Sequence, residues 1–109
     1  MTLVFVYLPL FERTAVGVLT DEDMQRVEQQ LLANPRSGVV VRHTGGVRKL
    51  RAAQPGRGKS GSARVVYCYI EMRAKIYFLL VYAKNEKGTL TEREKVHIQG
   101  LVQRLKEEE

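Results

Sequence analysis

The spacing of the apolar residues changes at Pro35, and this change determines the class of fold that the chain can adopt. Before Pro35, an apolar stripe of Met24, Val27, Leu31 and Leu32 follows the spacing of one helical face. After it, short runs rich in valine and tyrosine predict strands. These strands are Val47–Ala53, Ala63–Ile70 and Ile76–Ala83, after a short extended run at Val39–Arg42.

Capping residues and a proline mark where the remaining predicted elements begin. Thr2–Tyr7 is β-branched and aromatic and predicts a first strand, and Pro9 suits the first turn of a short helix. Thr20, with acidic residues directly after it, is a typical helix N-cap, and Thr91 with Glu94 forms a capping box for the last helix. The predicted order is β-α-α-β-β-β-α. We therefore expect an α+β fold with helices packed on one face of a mostly antiparallel sheet.

Length and composition exclude several classes of protein. The 109 residues fit one domain, 1–109, and the single cysteine cannot form an internal disulfide, which disfavours a secreted, disulfide-rich scaffold. No run of 18 apolar residues exists, so we expect no membrane span. The first ten residues lack the basic segment and small-residue cleavage site of a signal peptide. We expect a cytoplasmic protein.

The positive charge is concentrated in the middle of the sequence. The net charge is +6, and no acidic residue lies between Glu28 and Glu71. This segment contains Arg36, Arg42, Arg48, Lys49, Arg51, Arg57, Lys59 and Arg64. Such a distribution is typical of a surface that binds a polyanion, most often nucleic acid.

The alternation of side chains along the strands predicts where these charges meet. Lys49 and Arg51 share one face of their strand, opposite Leu50 and Ala52. Likewise, Tyr82 and Lys84 share a face of the last strand, opposite Leu79, Val81 and Ala83. If helices cover the apolar face, the cations converge on the other one, where Arg64 can join them.

Other catalytic arrangements are poorly supported. Residues 53–60 fit a relaxed phosphate-binding loop, but a strand rather than a helix follows them. Cys68, between two tyrosines of a strand, is typical of a buried core residue. The basic segment has no carboxylates and no zinc-ligand spacing, so we expect neither a metal nor another cofactor.

Two stretches carry a family resemblance: GGVRKLRAAQPGRGKSGSARVVYCY and YFLLVYAKNEKGTLTERE, which together cover roughly residues 45–95. They resemble the RelE/ParE toxin superfamily, and the closer likeness is to HigB-type (host inhibition of growth) toxins. The resemblance implies a bacterial type II toxin that enters the ribosomal A site and cleaves mRNA. It also implies a cognate antitoxin, often a helix-turn-helix protein, as a partner.

The resemblance assigns functional residues position by position. The family's cationic strand residues fall on Lys49 and Arg51, and its strand-initial arginine falls on Arg64. The basic residue that closes the family's last core strand falls on Lys84. Arg57 and Lys59 belong to the longer Gly-rich loop seen in HigB-like members. The candidate catalytic residues are Lys49, Arg51, Lys59, Arg64 and Lys84, and the candidate RNA-binding residues are Arg48, Arg57 and Tyr82. A catalytic arginine that some relatives carry just after the Lys84 position is replaced here by Asn85.

These roles describe a metal-independent endoribonuclease. The 2′-OH attacks the adjacent phosphorus while Arg51 and Arg64 neutralise the non-bridging oxygens. Lys49 or Lys59 acts as the general base, and Lys84 supports the leaving group. The alternative is a non-catalytic protein, either a ParE-like toxin acting on a topoisomerase or a nucleic-acid-binding module.

Overall fold

Within residues 2–53, 62–84 and 89–108, which the structure describes, a computed structural model shows a five-stranded sheet and three α-helices. The elements in chain order are β1 (Val4–Tyr7), α1 (Pro9–Ala15), α2 (Asp21–Ala33), β2 (Val39–Val40), β3 (Arg48–Ala53), β4 (Ser62–Ile70), β5 (Lys75–Ala83) and α3 (Glu92–Glu107). A single 3₁₀ turn, Glu71–Arg73, joins β4 to β5. No helix in these ranges is long and apolar enough to cross a bilayer.

The strands lie in the order β1-β5-β4-β3-β2. β1 runs parallel to β5, and the other three pairings are antiparallel. Both predicted helix starts are confirmed, because Thr20 and Thr91 each accept a hydrogen bond in a complete capping box. The α+β class and the mostly antiparallel sheet are therefore confirmed, and β2 is a short additional edge strand.

The helices cover both faces of the sheet. Phe11 of α1 and Leu31 of α2 pack in one apolar cluster with Val65 and Tyr67 of β4. A second cluster unites Ile98, Val102 and Leu105 of α3 with the residues of β4 and β5 that point the other way, among them Val66, Cys68 and Leu80. We call these the α1–α2 face and the α3 face.

The prediction that all helices pack on one face is thus wrong. β4 carries apolar side chains at consecutive positions, so neither of its faces is suited to water. A strand of this kind needs a cover on each side. The third helix supplies the second cover.

A β-bulge changes the alternation along β5. Val66 pairs with Leu80 whereas the next residue, Tyr67, pairs with Phe78, so Leu79 has no partner of its own on β4. As a result, Leu79 lies in the same apolar cluster as Tyr82. The prediction that Leu79 lies opposite Tyr82 is therefore wrong.

The segment between α2 and β2 is held against the sheet by side-chain hydrogen bonds. The Tyr67 hydroxyl donates to the Pro35 carbonyl oxygen over 2.8 Å and accepts from the Gly38 N–H over 3.0 Å. The Arg48 guanidinium donates to the Gly38 carbonyl oxygen over 2.8 Å. A Cβ atom added at Gly38 would lie only 2.8 Å from Tyr67 Cε1 and 2.9 Å from the Lys49 carbonyl oxygen. This position therefore has no room for a side chain.

Replacing Gly38 with alanine is expected to destabilise the protein by about 1–3 kcal/mol, because the added methyl group overpacks the contact with Tyr67. Urea denaturation followed by circular dichroism measures this loss. Gly100→Ala is the matched control, since an added Cβ there comes no closer than 4.0 Å to a neighbour. The control should gain up to about 1 kcal/mol from helix propensity. Equal stability of Gly38→Ala and the wild type would contradict the packing described.

A side-chain hydrogen bond also connects β1 to α2: the Tyr7 hydroxyl donates to the Glu28 carboxylate. Burial of the phenol, followed by this bond and the negative charge of Glu28, raises the Tyr7 pKa well above its ordinary value of 10.0. The unfolded chain therefore releases the Tyr7 proton at a lower pH than the folded chain does. The stability that Tyr7 contributes is complete below pH 10.0 and is lost as the pH rises further.

We expect Tyr7→Phe to flatten the fall in stability above pH 10.0, because phenylalanine has no proton to lose. The free energy of unfolding of both proteins, measured in urea from neutral to strongly alkaline pH, checks this. Parallel curves for Tyr7→Phe and the wild type would show that Tyr7 is not responsible for the alkaline loss.

Candidate nucleic-acid interface

The register of β3 and β4 brings cationic side chains together on the α3 face. Arg51 pairs directly with Arg64, and Lys49 pairs with Val66, two residues further along each strand. Val66 belongs to the apolar cluster of the α3 face, so the alternation of the strands places all three cations on that face. We call Lys49, Arg51 and Arg64 the basic strip. The prediction that Lys49 and Arg51 lie opposite Leu50 and Ala52 is confirmed, since the latter two pack in the other cluster.

The basic strip is accessible to solvent. Arg51 is exposed, and Lys49 and Arg64 are partly exposed. α3 packs over β4, β5 and residues 41–47, whereas the residues of β3 on this face, Lys49, Arg51 and Ala53, are not part of the apolar cluster. α3 therefore shares the face with the basic strip without burying it.

The basic strip places like charges opposite each other. Directly opposed residues of an antiparallel pair have Cβ atoms about 4.5–5.5 Å apart, and like charges at such positions destabilise the sheet. Among the described residues, no carboxylate forms an ion pair with Lys49, Arg51 or Arg64. An arrangement that lowers stability and leaves positive charge accessible is well suited to bind an anion.

Ser62 orients part of the basic strip. The Arg64 Nη1 donates to Ser62 Oγ over 3.2 Å and lies 3.5 Å from the Ala63 carbonyl oxygen. The Lys84 N–H donates to the Ser62 carbonyl oxygen over 3.1 Å, so Lys84, which is exposed, adjoins the same strand end. Sequence reasoning missed Ser62; its signal is the i, i+2 spacing from Arg64, which puts both side chains on one face.

Tyr82 lies beside the basic strip but inside the core. It pairs with Arg64 across β4 and β5, and it is only 6% exposed beneath α3. Burial raises the Tyr82 pKa, the positive charge of Arg64 opposes this rise, and Glu94 adds to it. The phenol therefore remains protonated at neutral pH, and its ring packs against protein rather than offering a free face for stacking on a base.

One further predicted residue, Arg48, is not brought to the basic strip. Arg48 lies on the α1–α2 side, where its guanidinium donates to the carbonyl oxygens of Arg36 and Gly38. Arg57 and Lys59 lie outside the described residues. Lys49, Arg51, Arg64 and Lys84 thus form the described part of the candidate site.

The chemistry available at this site is that of fixed positive charge. Arginine can bind a phosphate through two parallel N–H···O bonds, and lysine adds a mobile point charge. Within the part of the chain that the structure describes, no three His, Cys, Asp or Glu side chains gather as a metal site. The arrangement can hold a phosphodiester and stabilise extra negative charge on it.

Comparison with known proteins agrees with this architecture. The protein-family model described as "RelE toxin of RelE / RelB toxin-antitoxin system" matches residues 9–109. The chain belongs to the RelE toxin family. It is a toxin of a toxin–antitoxin system, and the family implies a cognate antitoxin as its partner.

A solved relative shows the same RelE fold. The structure of an E. coli RelE toxin variant with two arginines changed to alanine, in the free state, is similar to this one with a TM-score of 0.54. The match covers 94% of this chain and 98% of the E. coli chain, at 16% sequence identity. The closer likeness to HigB-type toxins stays a prediction.

Removing one charge from the basic strip should weaken binding to unstructured RNA and make it less dependent on salt. Each phosphate contact to a single strand contributes about 0.7 to the slope of log K against log salt concentration. We expect Arg51→Gln to lower the slope by about 0.7, measured by fluorescence anisotropy with a labelled RNA of about 12 nucleotides. Arg13→Gln, which removes the same charge from exposed α1, should leave the slope unchanged. Equal slopes for Arg51→Gln and the wild type would rule out a phosphate contact at Arg51.

Proposed function

We propose that this RelE-family protein is a ribosome-dependent endoribonuclease that cleaves mRNA and thereby inhibits translation. The observation that carries the proposal is the pair Arg51 and Arg64, which lie opposite each other on an accessible sheet face. The family membership supports the same activity. Because ribosomes are cytoplasmic, the proposal includes a cytoplasmic location and the ribosomal A site and mRNA as partners.

The proposed reaction needs only charge, orientation and proton transfer. The 2′-OH of a nucleotide attacks the adjacent phosphorus, its proton passes to a base, and the 5′-oxygen leaves and takes up a proton. The products are a 2′,3′-cyclic phosphate and a 5′-OH. The phosphorane-like transition state carries one more negative charge than the ground state, so fixed cations stabilise it preferentially.

Each residue of the candidate site has a proposed role. Arg51 and Arg64 bind the two non-bridging oxygens, and the hydrogen bond from Arg64 to Ser62 holds its guanidinium in place. Lys49 is the proposed general base that accepts the proton of the attacking 2′-OH. It lies two residues from Arg51 on the same face, about 7 Å along the strand. Lys84, next to Ser62, supports the leaving 5′-oxygen. Lys59 remains an alternative base, and Arg57 an RNA contact, in the segment outside the described residues.

The antitoxin is proposed to be a helix-turn-helix protein, as is common for partners of HigB-type toxins. This proposal concerns the partner's class alone, since the family membership already implies that an antitoxin exists.

Cleavage in a reconstituted translation system tests the proposed activity. We expect Arg51→Ala and Arg64→Ala each to slow single-turnover cleavage of ribosome-bound mRNA by about 10²–10³, because each removes transition-state stabilisation. Arg64→Lys should also lose activity, since lysine cannot bind two oxygens in one plane.

The matched control is Arg13→Ala/Arg104→Ala, which removes two exposed charges away from the basic strip. It should cleave at the wild-type rate. If Arg51→Ala/Arg64→Ala cleaves as fast as the wild type, the proposed site is wrong. If the wild type leaves mRNA intact but inhibits a topoisomerase, the ParE-like alternative replaces the endoribonuclease.

A further inference from the structure

Two grooves flank helix α1 on the side of the molecule away from β3. One, of about 630 Å³, lies between α1 and α2, and the other, of about 600 Å³, lies between α1, β5 and α3. Val16, just after α1, lines both grooves and is 80% exposed. The grooves thus meet around the C-terminal end of α1. We call the combined surface the α1 groove.

The topology of the sheet explains why the α1 groove exists. β1 pairs with β5 only from Val4 to Tyr7, which lies opposite Phe78, whereas β5 continues to Ala83. Beyond Phe78 the outer edge of β5 faces α1, and the Thr14 hydroxyl accepts the hydrogen bond of the Val81 N–H over 3.0 Å. The space between α1 and α3 is open beside this edge.

The α1 groove is negatively charged in a positively charged protein. Four carboxylates line it, those of Glu12, Asp21, Glu28 and Glu94, together with the imidazole of His97 and the phenols of Tyr7 and Tyr82. Among the described residues, no lysine or arginine lines it, although the chain contains 18 of them against 12 acidic residues. The sign of the charge here is therefore opposite to that of the basic strip.

Apolar side chains form the rest of the surface. Phe11 and Met24 lie at the base of the groove between α1 and α2, in the core of the α1–α2 face. Leu10 and Val16 line the groove towards α3 and are 38% and 80% exposed. An apolar surface bordered by carboxylates is complementary to an amphipathic segment with a leucine-like face and lysine or arginine at its margins.

We propose that the α1 groove docks a cationic amphipathic segment of the cognate antitoxin. The proposal rests on the family membership, which implies an antitoxin, and is independent of the endoribonuclease activity. A cationic segment is repelled by the basic strip and by the net charge of +6, so the α1 groove is where its charge is best matched. The groove lies at the β1–β5 edge of the sheet, whereas the basic strip lies on β3 and β4. The α3 side of the groove reaches Tyr82, which pairs with Arg64, so the two surfaces adjoin there. Glu12 and Asp21 lie on the other side, between α1 and α2, where antitoxin docking leaves the basic strip uncovered.

Reversing charges at the groove tests the proposal. The probe is the antitoxin encoded by the reading frame beside the toxin gene, titrated into purified full-length toxin by isothermal calorimetry. We expect Glu12→Lys/Asp21→Lys to raise the Kd at least about tenfold, with the larger effect at low salt. Glu107→Lys/Glu108→Lys changes the net charge equally on the exposed end of α3, and it should change the Kd less than about twofold.

A second variant separates docking from folding. Val16→Arg places a positive charge at an exposed position where both grooves meet, so it should weaken antitoxin binding without a change in thermal stability. Hydrogen exchange of the complex should show protection at residues 9–28 and not at β3. Cleavage by the free Glu12→Lys/Asp21→Lys toxin should equal that of the wild type, which keeps this test separate from the test of the endoribonuclease.

Three results would overturn the proposal. The first is an equal loss of affinity in the groove variant and the α3 control, which would show an effect of net charge alone. The second is unchanged affinity in both groove variants. The third is protection confined to β3 and the basic strip, which would place the antitoxin on the RNA surface instead.

Discussion

The structure depends on the burial of β4 and β5 on both faces of the sheet. Val65 and Tyr67 of β4 require cover from α1 and α2, and Val66 and Cys68 require cover from α3. α3 meets this need over the centre of the sheet, and on the same face β3 presents lysine and arginine instead of apolar residues. The candidate site therefore lies at the part of the α3 face that α3 does not cover.

Positive and negative charges are concentrated on different surfaces of the molecule. Arg51 and Arg64 are held opposite each other by strand pairing, which tolerates the repulsion because backbone hydrogen bonds and the cluster beneath them stabilise the register. Three carboxylates of α1 and α2, those of Glu12, Asp21 and Glu28, lie around the α1 groove instead. A molecule with one cationic and one anionic surface can engage a polyanion and a cationic partner at the same time.

Local signals predicted much of this architecture, and non-local ones account for the errors. The capping residues Thr20 and Thr91 and the alternation around Lys49 follow from short stretches of sequence. The predicted face of Leu79 is wrong because a β-bulge is a property of two paired strands. The sequence of one strand alone does not show where its partner pairs with it. The signal that decides which face α3 covers is also non-local, because an apolar stripe can pack on either side of strands that are apolar on both faces.

Strand alternation already indicates that Arg48 does not lie on the RNA surface. Arg48 has the same parity as Leu50 and Ala52, so alternation alone places it on the α1–α2 side. Tyr82 was placed on the cationic face, as the strand register has it, but the helix that covers it cannot be inferred from alternation. Arg57 and Lys59 keep their predicted roles as proposals only.

The central claim is that RNA binds at Arg51 and Arg64, and titration of the arginine Nε–Hε NMR signals with unstructured RNA tests it most directly. We predict that the signals of Arg51 and Arg64 shift during the titration. The signal of Arg48 should stay in place, because its guanidinium already donates to the carbonyl oxygens of Arg36 and Gly38 on the other side of the sheet. A shift at Arg48 with Arg51 and Arg64 unmoved would contradict the account.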